Sequence, residues 1–156
     1  MLKLFGCALV LMSCYMMSSA LAGREKMKIE RVELLILLVR TIRDKVDCYA
    51  LPIGKILDEC REEILFPLGI KKPISELSRL VCECKDGMTK EAEKTFCEFA
   101  GAFGKSYREQ QVRLCDSTID ALNSQREKLL SAYPVKKKTA ATFCFAAGGI
   151  LVIVLL

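Results

Sequence analysis

The sequence contains no histidine and no tryptophan, and only four of its 156 residues are proline. The missing histidine removes the commonest general base and the commonest metal ligand of proteins. Cysteine does not take its place, because no C-x-x-C pair occurs and the two members of the closest pair, Cys82 and Cys84, point about 200° apart on a helix. No acidic pair has a pocket in which to work. We therefore expect no enzyme, no cofactor and no metal.

The tripeptide Gly104-Lys105-Ser106 invites a nucleotide-binding interpretation, which its surroundings exclude. A phosphate-binding loop needs glycine six residues before the lysine and a strand in front of it, whereas this chain has Phe99 there and no strand pattern. The tripeptide instead predicts a turn, in which Gly104 ends one helix and Ser106 caps the next.

Charge is absent from both ends of the chain. Residues 4–23 and residues 139–156 carry no charged side chain, and each run approaches the roughly 20 residues that a membrane-spanning helix needs. The sequence therefore predicts an N-terminal transmembrane helix over 1–23 and a C-terminal one over 139–156.

Basic residues flank both uncharged runs on the side that faces the middle of the chain. They predict how the two spans are oriented in the membrane. Lysine and arginine near a span favour the cytoplasmic side. Before the first run there is only Lys3, whereas six basic residues flank the two runs internally: Arg24, Lys26, Lys28, Lys136, Lys137 and Lys138. Both ends therefore place the central domain, residues 24–134, in the cytoplasm, joined to the second span by a basic juxtamembrane linker over 135–138. These lysines and arginines would face anionic membrane lipids, and the mild net charge of the middle indicates no nucleic acid.

The first run has two other interpretations, a cleaved signal peptide and a lipoprotein signal. Ala20-Leu21-Ala22 fits a signal-peptidase site, and Leu11-Met12-Ser13-Cys14 loosely resembles a lipoprotein box. In an exported domain, the six central cysteines would form three disulfides, with fifteen pairings available. In the cytoplasm they would stay reduced, the interpretation we favour. The alternative function is thus an exported, disulfide-stapled helical binding module held by its C-terminal span.

The region between the runs has helical spacing throughout, so the predicted fold is all-α. We expect a small bundle of about four to six helices flanked by the two transmembrane helices. No proline or glycine lies between Gly23 and Pro52, so the first span should continue as one helix to about Tyr49. The last helix, which we expect to end at Pro134, has a coiled-coil-like seam that suits the long first helix as an antiparallel partner.

Local signals also predict features of the shorter helices in the middle of the chain. Gly69 and Gly87 lie at breaks, and Gly87 should supply the left-handed residue that ends a helix. Thr89 is a good N-cap for the helix that follows. That helix carries an aromatic stripe, which includes Phe96 and Phe99 and which we expect to be a core face and not a ligand-binding strip.

Several short segments, in this order, resemble the stage III sporulation protein AB family over nearly the whole chain. They are the opening MLKLFG, the turn Tyr49-Ala50-Leu51-Pro52, the segment Pro73-Ile74-Ser75-Glu76-Leu77 and the Gly104-Lys105-Ser106 turn. Two features depart from the family pattern. Tyr107 stands where the family usually has aspartate, and the region between Cys84 and Phe96 is short.

The resemblance implies a fold similar to the cytoplasmic domains of type II secretion and type IV pilus platform proteins. It also implies a non-enzymatic structural role in the secretion-like channel complex between mother cell and forespore. Its partners would be a secretion-type ATPase and other proteins of the stage III sporulation A operon. The location would be the outer forespore membrane, with the central domain on the mother-cell side.

Partner-binding residues are expected in turns on the side of the bundle away from the membrane, because binding residues concentrate in turns. The candidates come from the breaks around residues 65–72 and 104–107: Lys71, Lys72, Lys105 and Tyr107. The sequence leaves homo-oligomer formation open.

Overall fold

The structure, a computed structural model, describes residues 2–49, 51–70, 74, 76–84 and 87–155. This part of the chain contains five α-helices and one π-helical turn, and it has no strand. The prediction of an all-α fold is confirmed. The helices are α1 (Leu2–Tyr49), α2 (Ile53–Glu59), α3 (Leu77–Glu83), α4 (Lys90–Ala102) and α5 (Arg108–Leu155), and the π-helical turn is Arg61–Leu65.

The chain divides into two compact units. Unit 1 comprises Met1–Met27 and Leu129–Leu156, and unit 2 comprises Lys28–Lys128. Within the described residues, no helix combines the length and the apolar character needed to cross a membrane. Some side chains of both predicted spans, at positions 1–5, 7, 8, 11, 151, 152 and 154–156, lie outside the description. The predicted spans and domain boundaries stay predictions.

The length of α1 follows from the absence of helix breakers. The helix is unbroken from Leu2 to Tyr49, as the sequence predicts, and ends just before Pro52. In unit 2 its apolar stripe is buried, and no other helix places more buried side chains in the core: Ile29, Val32, Leu35, Ile36, Leu38, Val39, Ile42 and Val46. A stripe this wide is typical of a helix covered on several sides.

In unit 2, α1 and α5 run antiparallel, which confirms the predicted pairing. Three ion pairs fix the direction, because the residue number rises along α1 as it falls along α5. They are Glu33 with Arg126 at 2.7 Å, Arg43 with Asp116 at 2.6 Å and Asp47 with Arg108 at 3.0 Å. Such half-exposed pairs stabilise the fold little and mainly fix register. On α5, the side chains of Cys115, Ile119 and Leu122 are buried in the core of unit 2.

Short helices and turns cover the remaining sides of unit 2. The π-helical turn follows α2, and its bonds span five residues, as in Phe66 N–H donating to the Arg61 carbonyl at 3.0 Å. Gly69 and Gly87 have φ of 92° and 85°, where glycine avoids the strain of a Cβ. The predicted breaks at these two glycines are confirmed.

Helix α4 begins at a capped threonine and buries an aromatic stripe. The Thr89 hydroxyl accepts a hydrogen bond from the Ala92 N–H at 3.2 Å, confirming the predicted cap. Phe96 and Phe99 are buried and stacked, with ring centroids 5.9 Å apart. The stripe is therefore part of the core, as predicted, and does not form a ligand strip.

Two predicted helix boundaries are wrong. Helix α5 continues through Pro134 to Leu155, although this proline lacks the N–H that would bond the Leu130 carbonyl. Contacts of α5 with α1 on the C-terminal side of the proline, such as Lys136 with Glu25 at 2.8 Å, favour the continued helix. Ser106 is not the cap of α5, which begins at Arg108; instead the Ser106 carbonyl accepts a hydrogen bond from the Gln111 side chain at 2.7 Å.

Unit 1 has a close helix contact and a large exposed apolar surface. A Cβ added at Gly148 would lie 2.8 Å from the Cys14 sulfur, so α1 and α5 approach closely there. Thirteen of the sixteen large apolar side chains that are exposed in the described residues belong to unit 1. Exposed large apolar side chains are thus concentrated in unit 1 and are few in unit 2.

Candidate functional site

The turn between α4 and α5 carries two of the predicted partner-binding residues. Helix α4 ends at Ala102, and Gly104, with φ of 83°, reverses the chain direction. Lys105 is exposed, and Tyr107 is 86 % exposed. The turn thus exposes an aromatic ring to solvent, and tyrosine is one of the residue types that are enriched in protein interfaces.

Arg108 ties this turn to the end of α1. Its guanidinium donates to the Asp47 carboxylate at 3.0 Å and also to the Asp47 backbone carbonyl. A cation suits that place, since the carbonyl groups at a helix C-terminus carry partial negative charge. The contact fixes the position of the residue that directly follows Tyr107. The exposed Tyr107 side chain is therefore attached to a backbone segment that is itself anchored to α1.

A groove of about 450 Å³ lies beside the turn within unit 2. The polar part of its lining comes from Glu76, Ser78, Arg108 and Gln111. Its apolar part comes from α1, α2, α3, α4 and the connections next to them: Val46, Leu51, Ile53, Leu77, Ala100 and Phe103. A concave apolar surface with a few polar groups is typical of a binding site.

The other predicted residues lie elsewhere or outside the description. Lys71 and Lys72 are not among the described residues. On α1, Arg24 and Lys26 are exposed and Lys28 is half-buried. On α5, Lys136, Lys137 and Lys138 are all exposed, and Lys136 contacts Glu25 as described above.

Sequence reasoning missed Arg108, Asp47 and the apolar lining of the groove. The signal for the ion pair was present, because an antiparallel alignment of α1 and α5 places the end of one helix beside the start of the other. The lining could not be found in this way, since its residues come from several helices whose mutual packing the sequence does not specify.

The cysteines of unit 2 divide into two groups. Cys60, Cys84 and Cys115 are buried, whereas Cys48, Cys82 and Cys97 are exposed, and all six are free. Burial raises the pKa of Cys60 and raises the pKa of Cys84 and Cys115 to about 11, so these thiols stay protonated at neutral pH. Among the described residues, no group of three or more cysteine or acidic side chains could hold a metal ion.

Comparison with known proteins places this arrangement in a family. The family model described as stage III sporulation protein AB matches residues 3–156. No curated protein and no solved structure matches the chain. The match extends over both units and includes the groove and the α4–α5 turn. The chain therefore belongs to the stage III sporulation protein AB family.

Proposed function

We propose that this protein is a non-enzymatic membrane platform of the channel complex between mother cell and forespore. In this role it links a secretion-type ATPase in the cytoplasm to the channel in the membrane. Family membership supports the sporulation role. The observation that carries the platform role is the uneven distribution of apolar surface, which is exposed on unit 1 and buried in the core of unit 2.

Unit 1 is the proposed membrane anchor. Its exposed apolar side chains include Met12, Met16, Phe143 and Ile150, all within the two uncharged runs of the sequence. Lipid would cover them without the cost that water imposes. The internal basic residues orient the two runs so that unit 2 lies on the cytoplasmic side, which is the mother-cell side of the outer forespore membrane.

Unit 2 is the proposed docking domain for the ATPase and for other proteins encoded in the stage III sporulation A operon. Its core is packed, and its solvent-exposed turn presents Lys105 and Tyr107 beside an apolar groove. An aromatic anchor next to an apolar recess resembles the centre of many interfaces, where a few residues supply most of the affinity. Lys71 and Lys72 are proposed as further contacts on the sequence argument alone.

Affinity capture of the full-length chain from sporulating cells tests this function. The paired change Lys105→Glu and Tyr107→Ala should reduce the amount of secretion-type ATPase that co-purifies by about tenfold, equivalent to ~1.4 kcal/mol of binding free energy. The paired change Lys71→Glu and Lys72→Glu should weaken recruitment in the same direction. Membrane association should be unchanged in both.

Lys90→Glu is the matched control, because Lys90 is an exposed lysine at the start of α4 and outside the groove lining. ATPase recovery with this variant should equal that of the wild type. If all variants recovered the same amount of ATPase as the wild type, the turn would not be the docking site. The absence of the ATPase from the wild-type capture would count against the platform role itself.

A further inference from the structure

A small cavity lies between α1 and α5 inside unit 1, at the border between the uncharged and the basic parts of the sequence. Its volume is about 190 Å³. Leu21, Ala22 and Ala140 form its apolar wall. Glu25, Tyr133, Lys136 and Lys137 form its polar wall. The cavity is therefore amphipathic, with the two kinds of side chain grouped by position along each helix.

The polar wall carries an excess of positive charge. Glu25 is the only acidic residue in the sequence of unit 1, and it forms an ion pair with Lys136 at 2.8 Å. Two lysines and one carboxylate leave the wall with a net charge of +1. Arg24, Lys26 and Lys138 are neighbours in sequence and add to the local positive potential. The ligand that complements this wall is an anion.

The apolar wall and the size of the cavity narrow the class of ligand. A volume of about 190 Å³ is below the ~300 Å³ of ordinary small-molecule sites, so it suits a phosphate group with the first atoms attached to it. The ammonium groups of the lysines and the Tyr133 hydroxyl can donate hydrogen bonds to phosphate oxygens. A free anion would gain nothing from Leu21 and the two alanines, whereas a lipid would place its glycerol and first methylenes there.

We propose that this cavity binds the headgroup of one anionic phospholipid, with Lys137 as the principal phosphate contact. The inference rests on the proposed membrane anchoring of unit 1. Basic pockets between membrane helices on the cytoplasmic side are suited to anionic headgroups. A lipid bound here would contact α1 and α5 at once and would hold the helix pair together at the membrane surface.

Native mass spectrometry of the full-length chain from nanodiscs tests the site. The nanodiscs contain equal amounts of phosphatidylglycerol and phosphatidylcholine. The wild type should retain one phosphatidylglycerol in preference to phosphatidylcholine. Lys137→Gln should lower that retention by about tenfold, the effect of losing one charge-assisted hydrogen bond. Lys137→Arg, which keeps the positive charge, should retain phosphatidylglycerol as the wild type does. Retention in this variant would show that Lys137→Gln acts through the lost charge and not through misfolding.

Lys138→Gln is the matched control, because it removes the same charge from the next residue of α5, which does not line the cavity. Its retention of phosphatidylglycerol should stay within about twofold of the wild type. If Lys137→Gln and Lys138→Gln lowered the retention of phosphatidylglycerol equally, the lipid would be held by general electrostatic attraction and not by a specific site. Displacement of the lipid by inorganic phosphate alone would identify a free-phosphate site and overturn the proposal.

The same preparation separates failure of this site from failure of the membrane anchor. A chain that enters nanodiscs but retains both lipids equally would refute only the lipid site. A chain that does not enter nanodiscs at all would refute the membrane anchor and, with it, the lipid site.

Discussion

Gly148→Cys is expected to form a disulfide with Cys14 under mild oxidation, and Gly149→Cys is not. An ideal Cβ at position 148 lies 2.8 Å from the Cys14 sulfur and 3.7 Å from the Cys14 Cβ. A disulfide requires a Cβ–Cβ distance of about 3.5–4.5 Å, so the geometry is already in place. A Cβ at position 149 meets nothing within 4 Å, so this neighbouring glycine provides the matched control.

The measurement uses a background in which Cys7 and Cys144 are replaced by serine, so that Cys14 is the only other cysteine in unit 1. Peptide mapping by mass spectrometry without reduction should find a peptide joining positions 14 and 148 in most molecules. The corresponding peptide with position 149 should be rare. Equal cross-linking at both positions would contradict the close contact of α1 and α5 in unit 1.

Phe96→Ala is expected to lower the free energy of unfolding of unit 2 by about 3–5 kcal/mol, the usual cost of removing a buried aromatic ring. Phe96 is 0 % exposed and stacks on Phe99, so its removal leaves a cavity in the core. Phe66→Ala is the control. That ring is 47 % exposed and has the Arg61 guanidinium 5.8 Å from its centroid, a contact worth about 0.5–1 kcal/mol.

The buried thiols provide a readout that belongs to unit 2 alone. Cys84 and Cys115 are enclosed and, with pKa values of about 11, protonated, so they resist alkylation until unit 2 unfolds. The urea dependence of their pulse alkylation gives the unfolding free energy in the full-length chain. Exposed Cys82 and Cys97 serve as internal references. Similar midpoint shifts for Phe96→Ala and Phe66→Ala would show that the aromatic stripe is not the core.

Local rules predicted most of the fold. The length of α1 follows from the absence of proline and glycine after Gly23, and the cap at Thr89 follows from its side-chain chemistry. Gly87 and Gly104 were predicted at breaks, and both have positive φ. Each of these features depends on a few neighbouring residues, so one sequence was sufficient to find it.

Features that depend on contacts between distant residues were not predicted. Pro134 ends a helix by local preference, yet α5 continues through it while flanking residues remain in contact with α1. The Arg108–Asp47 contact and the groove beside it join segments that are far apart in sequence. In both cases tertiary packing determines the structure that forms. The local sequence shows only which residues could take part in it.

In the proposed function, two terminal membrane spans hold unit 2 on the cytoplasmic face of the membrane. This topology is tested by labelling the full-length chain with a membrane-impermeant maleimide in right-side-out and in inside-out vesicles. Mass spectrometry then identifies the labelled cysteines and shows whether residues 1–22 are present. Cys115 is buried and is not accessible to the reagent, whereas Cys48, Cys82 and Cys97 are exposed and can be labelled. We expect these three to be labelled only in inside-out vesicles, with residues 1–22 retained. Labelling in right-side-out vesicles would contradict the account.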